Sequence, residues 1–195
     1  MGVRERKARD KQERERRIVD CARTIADSEG WAAVTTRRLA NEIEYSPPVL
    51  YGHFPDGRDG IVSAVALVGF TDFTQVMREA LDGAGIADRV GAFIEAYLAF
   101  AAENPATYEA MFSMRLGVQF AHDSTPAELR EAFDVLVDAV GGGDHTGDHT
   151  GDAGTRAELL WSALHGMSVL TQGHRLSPGN RRRRVDALAG LFDPA

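Results

Sequence analysis

Residues 35–54 read TTRRLANEIEYSPPVLYGHF, and this stretch decides the fold. Thr35 carries a side-chain oxygen suited to capping a helix, and Leu39, Ala40 and Ile43 then share one helical face. Ser46 ahead of Pro47 is a second and stronger start signal. The missing N–H of a proline at the first helical position is one that the helix does not use, and its φ is already helical. The spacing predicts a helix from Pro47 to His53, closed by Pro55-Asp56-Gly57. It is under two turns long and proline-led, a poor core element, so its exposed face must be the reason for it. Together with the helix opened by Thr35 and the tight turn Asn41–Ser46, it gives helix-turn-helix geometry.

Working outward, charge is distributed unevenly. The 195 residues allow one or two small domains with a sizeable core, and 26% charged with 44% hydrophobic residues is ordinary globular composition. Residues 1–60 carry twelve Lys/Arg against eleven Asp/Glu, a net of +1. The rest carry ten against eighteen, a net of −8, which together make the overall −7. That asymmetry points to an anionic partner for the N-terminal third and excludes a protein that coats nucleic acid with its whole surface. No apolar run approaches the roughly 18–20 residues of a membrane span, and the N-terminus is a charged helix former unlike a signal peptide. Cys21, the single cysteine, cannot form an internal disulfide and sits on an apolar stripe. No Cys/His pairing offers a zinc site, and a reducing, cytoplasmic setting follows.

Helical periodicity covers almost the whole chain, and the fold class is all-α with about nine helices. Ile18, Cys21, Ala22 and Ile25 form the stripe of a first helix from about Arg4 to Glu29, ended by Gly30. Residues 1–11 read as a basic arm, in part disordered. Asp56 and Asp59 can cap a long helix with the stripe Ile61, Val65, Val68, Phe73 and Val76. Val90 to Ala101 make another, and Asn104-Pro105 starts one carrying Tyr108, Met111 and Phe112. Thr125-Pro126-Ala127-Glu128 and Thr155-Arg156-Ala157-Glu158 read as capping boxes opening two more. A last helix runs from about Asn180 to Phe192. Between the boxes, residues 141–154 repeat Asp-His-Thr-Gly with no apolar anchor, and a mobile surface loop is expected. Its Asp and His donors fit neither a calcium-loop nor a zinc pattern, so no metal is expected.

In a helix-turn-helix the short second helix lies in the major groove while flanking groups clamp phosphates. Leu39, Ala40, Ile43, Leu50 and Phe54 can pack a three-helix core, leaving Arg37, Arg38, Tyr51 and His53 for solvent. The alternative for Tyr51 and His53 is packing against the next helix, and for the two arginines a merely solvated face.

These residues resemble the tetracycline-repressor-like (TetR) family of transcriptional regulators. The matching stretches are Thr35–Ala40 and Ser46–Phe54, with a Leu-Tyr-x-His-Phe ending, and the resemblance covers residues 12 to about 70. Trp161 through His165-Gly166 resembles the Trp-x-x-x-His-Gly subgroup. The resemblance implies a DNA-binding domain over 12–70 and an effector-binding and dimerisation domain over 71–195. It implies phosphate contacts from Thr36, Tyr51 and His53, and from Arg58 one position displaced. Arg37 falls where a groove-facing side chain is usual, and an arginine there can read guanine in bidentate fashion. Ser46, Pro47, Pro48 and Val49 form the helix tip, beside Tyr45. Glu44 replaces a glycine common at the end of the preceding helix, Tyr45 a small aliphatic, and Gly52 a larger residue.

A single module buries little surface, so specific affinity is expected from a homodimer on a palindromic operator. The segment Leu159–Leu170, apolar nearly all round, and the final helix are the natural pairing surface. Phe93, Tyr97, Phe100, Tyr108, Met111, Phe112, Met114, Phe120, Trp161 and His165 supply the lining for a hydrophobic effector, although most such residues are ordinary core. The expected function is a cytoplasmic transcriptional regulator, a repressor released from DNA by that effector, without cofactor or membrane partner. No nucleophile elbow, glycine-rich phosphate loop or HExxH is present, so an enzyme is not expected. The alternatives are a small-molecule-binding protein or enzyme using His165 with Tyr97 or Tyr108, and a dimeric interaction module without an effector.

Overall fold

A computed structural model describes residues 2–85, 88–112, 125–141 and 152–192. Among these residues there are no strands. The α-helices are α1 (Val3–Glu29), α2 (Thr36–Glu42), α3 (Pro47–His53), α4 (Arg58–Gly83), α5 (Arg89–Glu103), α6 (Pro105–Phe112), α7 (Ala127–Ala139), α8 (Asp152–Gln172) and α9 (Arg181–Phe192). Short 3-10 turns stand at Trp31–Ala33 and Pro178–Asn180. Of the loop expected at 141–154, residues 142–151 with the Asp-His-Thr-Gly repeat lie outside the described residues, as do Met114 and Phe120, while 152–154 belong to the first turn of α8.

The chain forms two compact units. One takes the described residues of Met1–Gly69 and Asn104–Val118, the other those of Phe70–Glu103 and Gln119–Ala195. The break falls between Gly69 and Phe70, beside the boundary at 70/71 that the resemblance implies, and α6 belongs with the first unit. A specific contact accounts for the placement of α6. The Trp31 indole N–H donates to the Ala106 carbonyl at 2.9 Å, in a buried setting.

In the first unit the apolar face of α1 (Ile18, Val19, Ala22, Ile25, Ala26) is buried, as are Leu39, Ala40, Ile43 and Leu50 of the α2–α3 region. Cys21 is half-buried, and that burial pushes its thiol up. The expected basic arm is, from Val3, the first turns of α1. The order is local in origin: Glu5 accepts from the Gly2 N–H at 2.8 Å, Lys11 pairs with Glu15 at 3.5 Å, and no helix breaker interrupts residues 3–29.

Gly69 of α4 lies against α6. A Cβ there would stand 2.5 Å from Thr107 Cγ2 and 2.8 Å from Met111 Sδ, and Thr107 is only 1% exposed. Gly69→Ala is therefore expected to cost about 1–3 kcal/mol by overpacking. Thermal unfolding checks this as a drop in Tm, at about 2–4 °C per kcal/mol.

Several helix details differ from the sequence pattern. α7 runs from Ala127 with Pro126 at its N-cap, one residue after the Thr125 that the sequence pattern put there, and Thr125 is buried. α8 begins at Asp152, whose acid suits the positive helix N-terminus, and this leaves Thr155 inside the helix and not at its cap. On α4 the buried side runs through Ile61, Val65, Ala66, Phe70, Phe73, Met77 and Leu81, which puts Val68 and Val76 at 38% exposure. α4 also has the length and mean hydropathy (1.5) of a membrane span, contrary to the expected lack of such a run. Half of that window is buried inside the protein, as in any core helix.

Candidate functional site

The turn between α2 and α3 is built by backbone bonds. Thr35 Oγ1 accepts from the Arg38 N–H at 3.2 Å and caps α2 as its position predicts. At the other end the Tyr45 N–H donates to the Ala40 carbonyl at 2.8 Å and the Glu44 N–H to Asn41 at 3.3 Å. This is the Schellman closure, and it puts Glu44 at φ +57°, the conformation glycine adopts without cost. A left-handed non-glycine residue costs about 1–2 kcal/mol, and glycine's greater freedom when unfolded returns up to about 1 kcal/mol of that. Glu44→Gly is thus expected to stabilise the protein by up to about 1 kcal/mol, read as a Tm raised by about 2–4 °C. An unchanged or lower Tm contradicts strain at this turn.

α3 starts at Pro47, and its first turn is closed by the Val49 N–H to the Ser46 carbonyl at 2.9 Å. The Ser46 side chain makes no capping bond and stays exposed, as do Pro47 and Pro48. Val49 is 39% and Tyr51 49% exposed, while Leu50 between them is buried. Alternate residues of this short helix are therefore divided between core and solvent.

The turn at Gly57 (φ +59°) brings two candidate residues together. A Cβ added there would meet Tyr51 Cε1 at 3.2 Å and Thr36 Cγ2 at 3.6 Å, so Thr36 and Tyr51 converge on one stretch of backbone. Arg37 is exposed and makes no side-chain hydrogen bond or ion pair among the described residues.

The other candidates are engaged within the unit. Arg38 forms a two-bond pair with Glu29 (2.6 Å for Nη1 to Oε2) and approaches Glu42 at 3.8 Å. Its hydrogen bond holds the Glu29 carboxyl below the usual range. The His53 side chain is 8% exposed, with Nδ1 3.3 Å from Glu15 Oε1 on α1. Arg58 donates through Nε to the Val34 carbonyl (3.0 Å) and through Nη2 to Trp31 (2.9 Å), bracing the α1–α2 connection. The Tyr45 hydroxyl accepts from Arg17 at 3.2 Å, and the Arg17 guanidinium lies 5.4 Å from the ring centroid. Arg17, Glu15 and Glu29 escaped the sequence pattern because their partners lie 28, 38 and 9 residues away in the chain, at no periodic spacing.

The aromatic candidates divide between the units. In the second, Phe73 packs edge-on against Tyr97 and Phe100, both at 5.4 Å between centroids, and Phe93 lies 6.4 Å from Tyr97. Phe73 had no place in the expected set, although it is central here. Trp161 and His165 are half-buried one turn apart on α8, and burial pushes the His165 imidazole below its ordinary value. In the first unit Tyr108 and Met111 are buried, and the half-buried Phe112 ring lies 4.7 Å from that of Tyr108.

α8 and α9 expose large apolar side chains: Leu159 (59%), Val169 (45%), Leu170 (38%) and Leu191 (76%). The arginine run is partly paired within the chain, Arg181 with Glu95 and Arg182 with Asp186 at 4.0 Å.

Comparison with known proteins adds two family matches. Residues 18–65 match the family described as "Bacterial regulatory proteins, tetR family", and residues 90–191 the "Tetracyclin repressor-like, C-terminal domain". The second match, and not the Trp161–Gly166 motif, carries the assignment of that half. The HTH-type transcriptional regulator YobS of Bacillus subtilis is 34% identical over 93 residues, 48% of either chain. The match thus spans about half the length of that relative. The HTH-type regulator Rv0681 of Mycobacterium tuberculosis is 29% identical over 153 residues, 78% of this chain and 67% of the relative. Among solved structures, the regulatory protein SCO4313 superposes with a TM-score of 0.71 at 23% identity over 95% of this chain and 97% of its own. PfmR, a TetR family transcriptional regulator from Thermus thermophilus, gives 0.59 at 18% identity over 90% and 96%. These two likenesses concern the fold.

Proposed function

The chain belongs to the TetR family of bacterial regulatory proteins, and from that premise we propose that it is a cytoplasmic transcriptional regulator, without catalytic activity, that binds duplex DNA through α3. The observation that carries this reading is the exposed tip of α3. Ser46, Pro47, Pro48, Val49 and Tyr51 face solvent on a helix too short to serve the core, with the unpaired Arg37 on α2. Arg37 and the α3 tip read base edges, and Thr36 and Tyr51 bind phosphate. Arg38, Tyr45, His53 and Arg58 hold the reading elements in place through Glu29, Arg17, Glu15 and the α1–α2 carbonyls. His53 and Tyr45 also remain beside the phosphate path.

The protein works as a homodimer through α8 and α9, whose exposed leucines exceed what a free surface needs, and its operator is palindromic. It acts as a repressor. A hydrophobic effector is held by aromatic groups of the second unit, including Phe93, Tyr97, Phe100, Trp161 and His165. Its binding is felt at the DNA through α4, a helix with residues in both units.

The test is fluorescence anisotropy of labelled duplexes from the DNA flanking the protein's own gene, titrated at low and high salt. Saturable binding that weakens steeply with salt is expected. No binding to any flanking fragment at low salt contradicts the proposal.

A further inference from the structure

Residues 4–14 of α1 are exposed throughout, and neither the core nor the α3 tip uses them. Their charges are ordered. Positions 4, 7, 11, 14, 18, 21 and 25 keep one alternating spacing of three and four, which is a single face of a helix. On that face Ile18 and Ile25 are buried and Cys21 is half-buried, whereas the N-terminal positions are Arg4, Lys7, Lys11 and Arg14. The acids of this segment, Glu5, Asp10, Glu13 and Glu15, all fall off the row. The stripe that packs the core thus continues outward as four cations with no acid among them, where a merely solvated helix interleaves the two signs.

α3 lies beside the start of this row. Glu15 Oε1 is 3.3 Å from His53 Nδ1 and 3.5 Å from Lys11 Nζ, and Arg17 donates to the Tyr45 hydroxyl at 3.2 Å. α1 is therefore tied to residues at both ends of α3 where the row begins. From Arg14 back to Arg4 the row runs about 15 Å along the helix. Among the described residues Arg4, Lys7 and Arg14 make no side-chain hydrogen bond or ion pair, and Lys11 stays 61% exposed in its pair with Glu15.

We infer that Arg4, Lys7, Lys11 and Arg14 form a second DNA contact, on the sugar-phosphate backbone flanking the stretch that α3 reads. The inference rests on the regulator reading, because the row is anchored beside the reading helix. Cations with no amide or aromatic group among them suit phosphates and not base edges, so the row adds affinity without sequence preference. It also holds no apolar residue, so a partner helix or a lipid surface has nothing to bury there.

Two triple variants of the full chain test this. One removes Arg4→Gln, Lys7→Gln and Arg14→Gln from the row, and the other Arg6→Gln, Arg9→Gln and Arg16→Gln from outside it. All six positions are exposed and glutamine is nearly as good a helix former, so circular dichroism is unchanged. Anisotropy is followed over a salt series on a duplex that the native protein selects from a random library, and on a scrambled copy. In the row variant both duplexes bind on the order of tenfold more weakly, and the slope of log affinity against log salt falls by about 2–3 per chain. The ratio of the two affinities is kept. The other variant stays within about twofold of the native protein, since charges away from phosphate are screened. On the native protein, hydroxyl-radical cleavage is blocked for about four base pairs beyond the guanines that α3 protects. Equal losses in the two variants, as bulk charge or an acidic protein partner in place of DNA would give, overturn the inference. So do no loss in either, or backbone protection that ends with those guanines. All three leave the α3 reading standing, whereas a native protein that selects no duplex contradicts that reading itself and the inference with it.

Discussion

Replacing Arg37 and Tyr51 together by alanine is expected to weaken binding to the cognate duplex by on the order of 10²–10³-fold while leaving the fold intact. The size follows from what each group does. An arginine reading guanine contributes about 1–3 kcal/mol of base discrimination, and a phosphate contact adds a smaller, sequence-independent share. The fold is spared because Arg37 is exposed and unpaired and Tyr51 is half in solvent, beside the Gly57 turn. Surface changes of that kind stay within about 0.5 kcal/mol of stability. The single variants should separate the roles. Arg37→Ala relaxes preference at one base pair, whereas Tyr51→Phe weakens all sequences alike. Anisotropy gives the affinities and circular dichroism the helix content. A double variant that binds as tightly as the native protein removes α3 and its neighbour from the interface.

The second large effect concerns pairing. Leu159→Arg with Leu191→Arg is expected to convert a dimer into a monomer in sedimentation and to lower DNA affinity by orders of magnitude. At 59% and 76% exposure these leucines contribute little to the folded chain itself, so the substitution is nearly silent in a monomer. In a two-fold interface each replacement occurs twice and strands an unpaired charge where water is excluded, a loss of about 3–5 kcal/mol per buried charge. Half-sites that must then be bound one at a time lose the advantage of linkage. A variant that remains dimeric places the interface elsewhere on the chain.

What could be read from the sequence was local. Ser46-Pro47 marks the start of α3 and Thr35 the cap of α2, because both signals act within one turn and depend on no distant partner. The core positions Leu39, Ala40, Ile43 and Leu50 follow from periodicity for the same reason. The standing of the polar candidates could not be read so. Arg38 and Arg58 look alike to Arg37 in sequence, but one meets Glu29 and the other the carbonyls of Trp31 and Val34, and only the packed chain brings those groups within reach. Arg17 against Tyr45 is the same case, a contact between α1 and the turn after α2. The starts of α7 and α8 differ from the pattern because a capping box is defined by where the helix begins, and both helices begin elsewhere. Thr125 is buried, and Asp152 starts its helix a turn earlier. Glu44 is the instructive departure. The backbone keeps the left-handed turn that suits glycine and tolerates a side chain there.

The measurement that bears most directly on paired α3 helices entering adjacent major grooves is a guanine methylation-protection footprint. It is taken on duplexes that the native protein selects from a random library. The account predicts two protected stretches related by a dyad, on one face of the duplex. Their centres should lie about 10–10.5 base pairs apart or a multiple of that. A single protected stretch, no guanine protection on a selected duplex, or no selection of any duplex contradicts it.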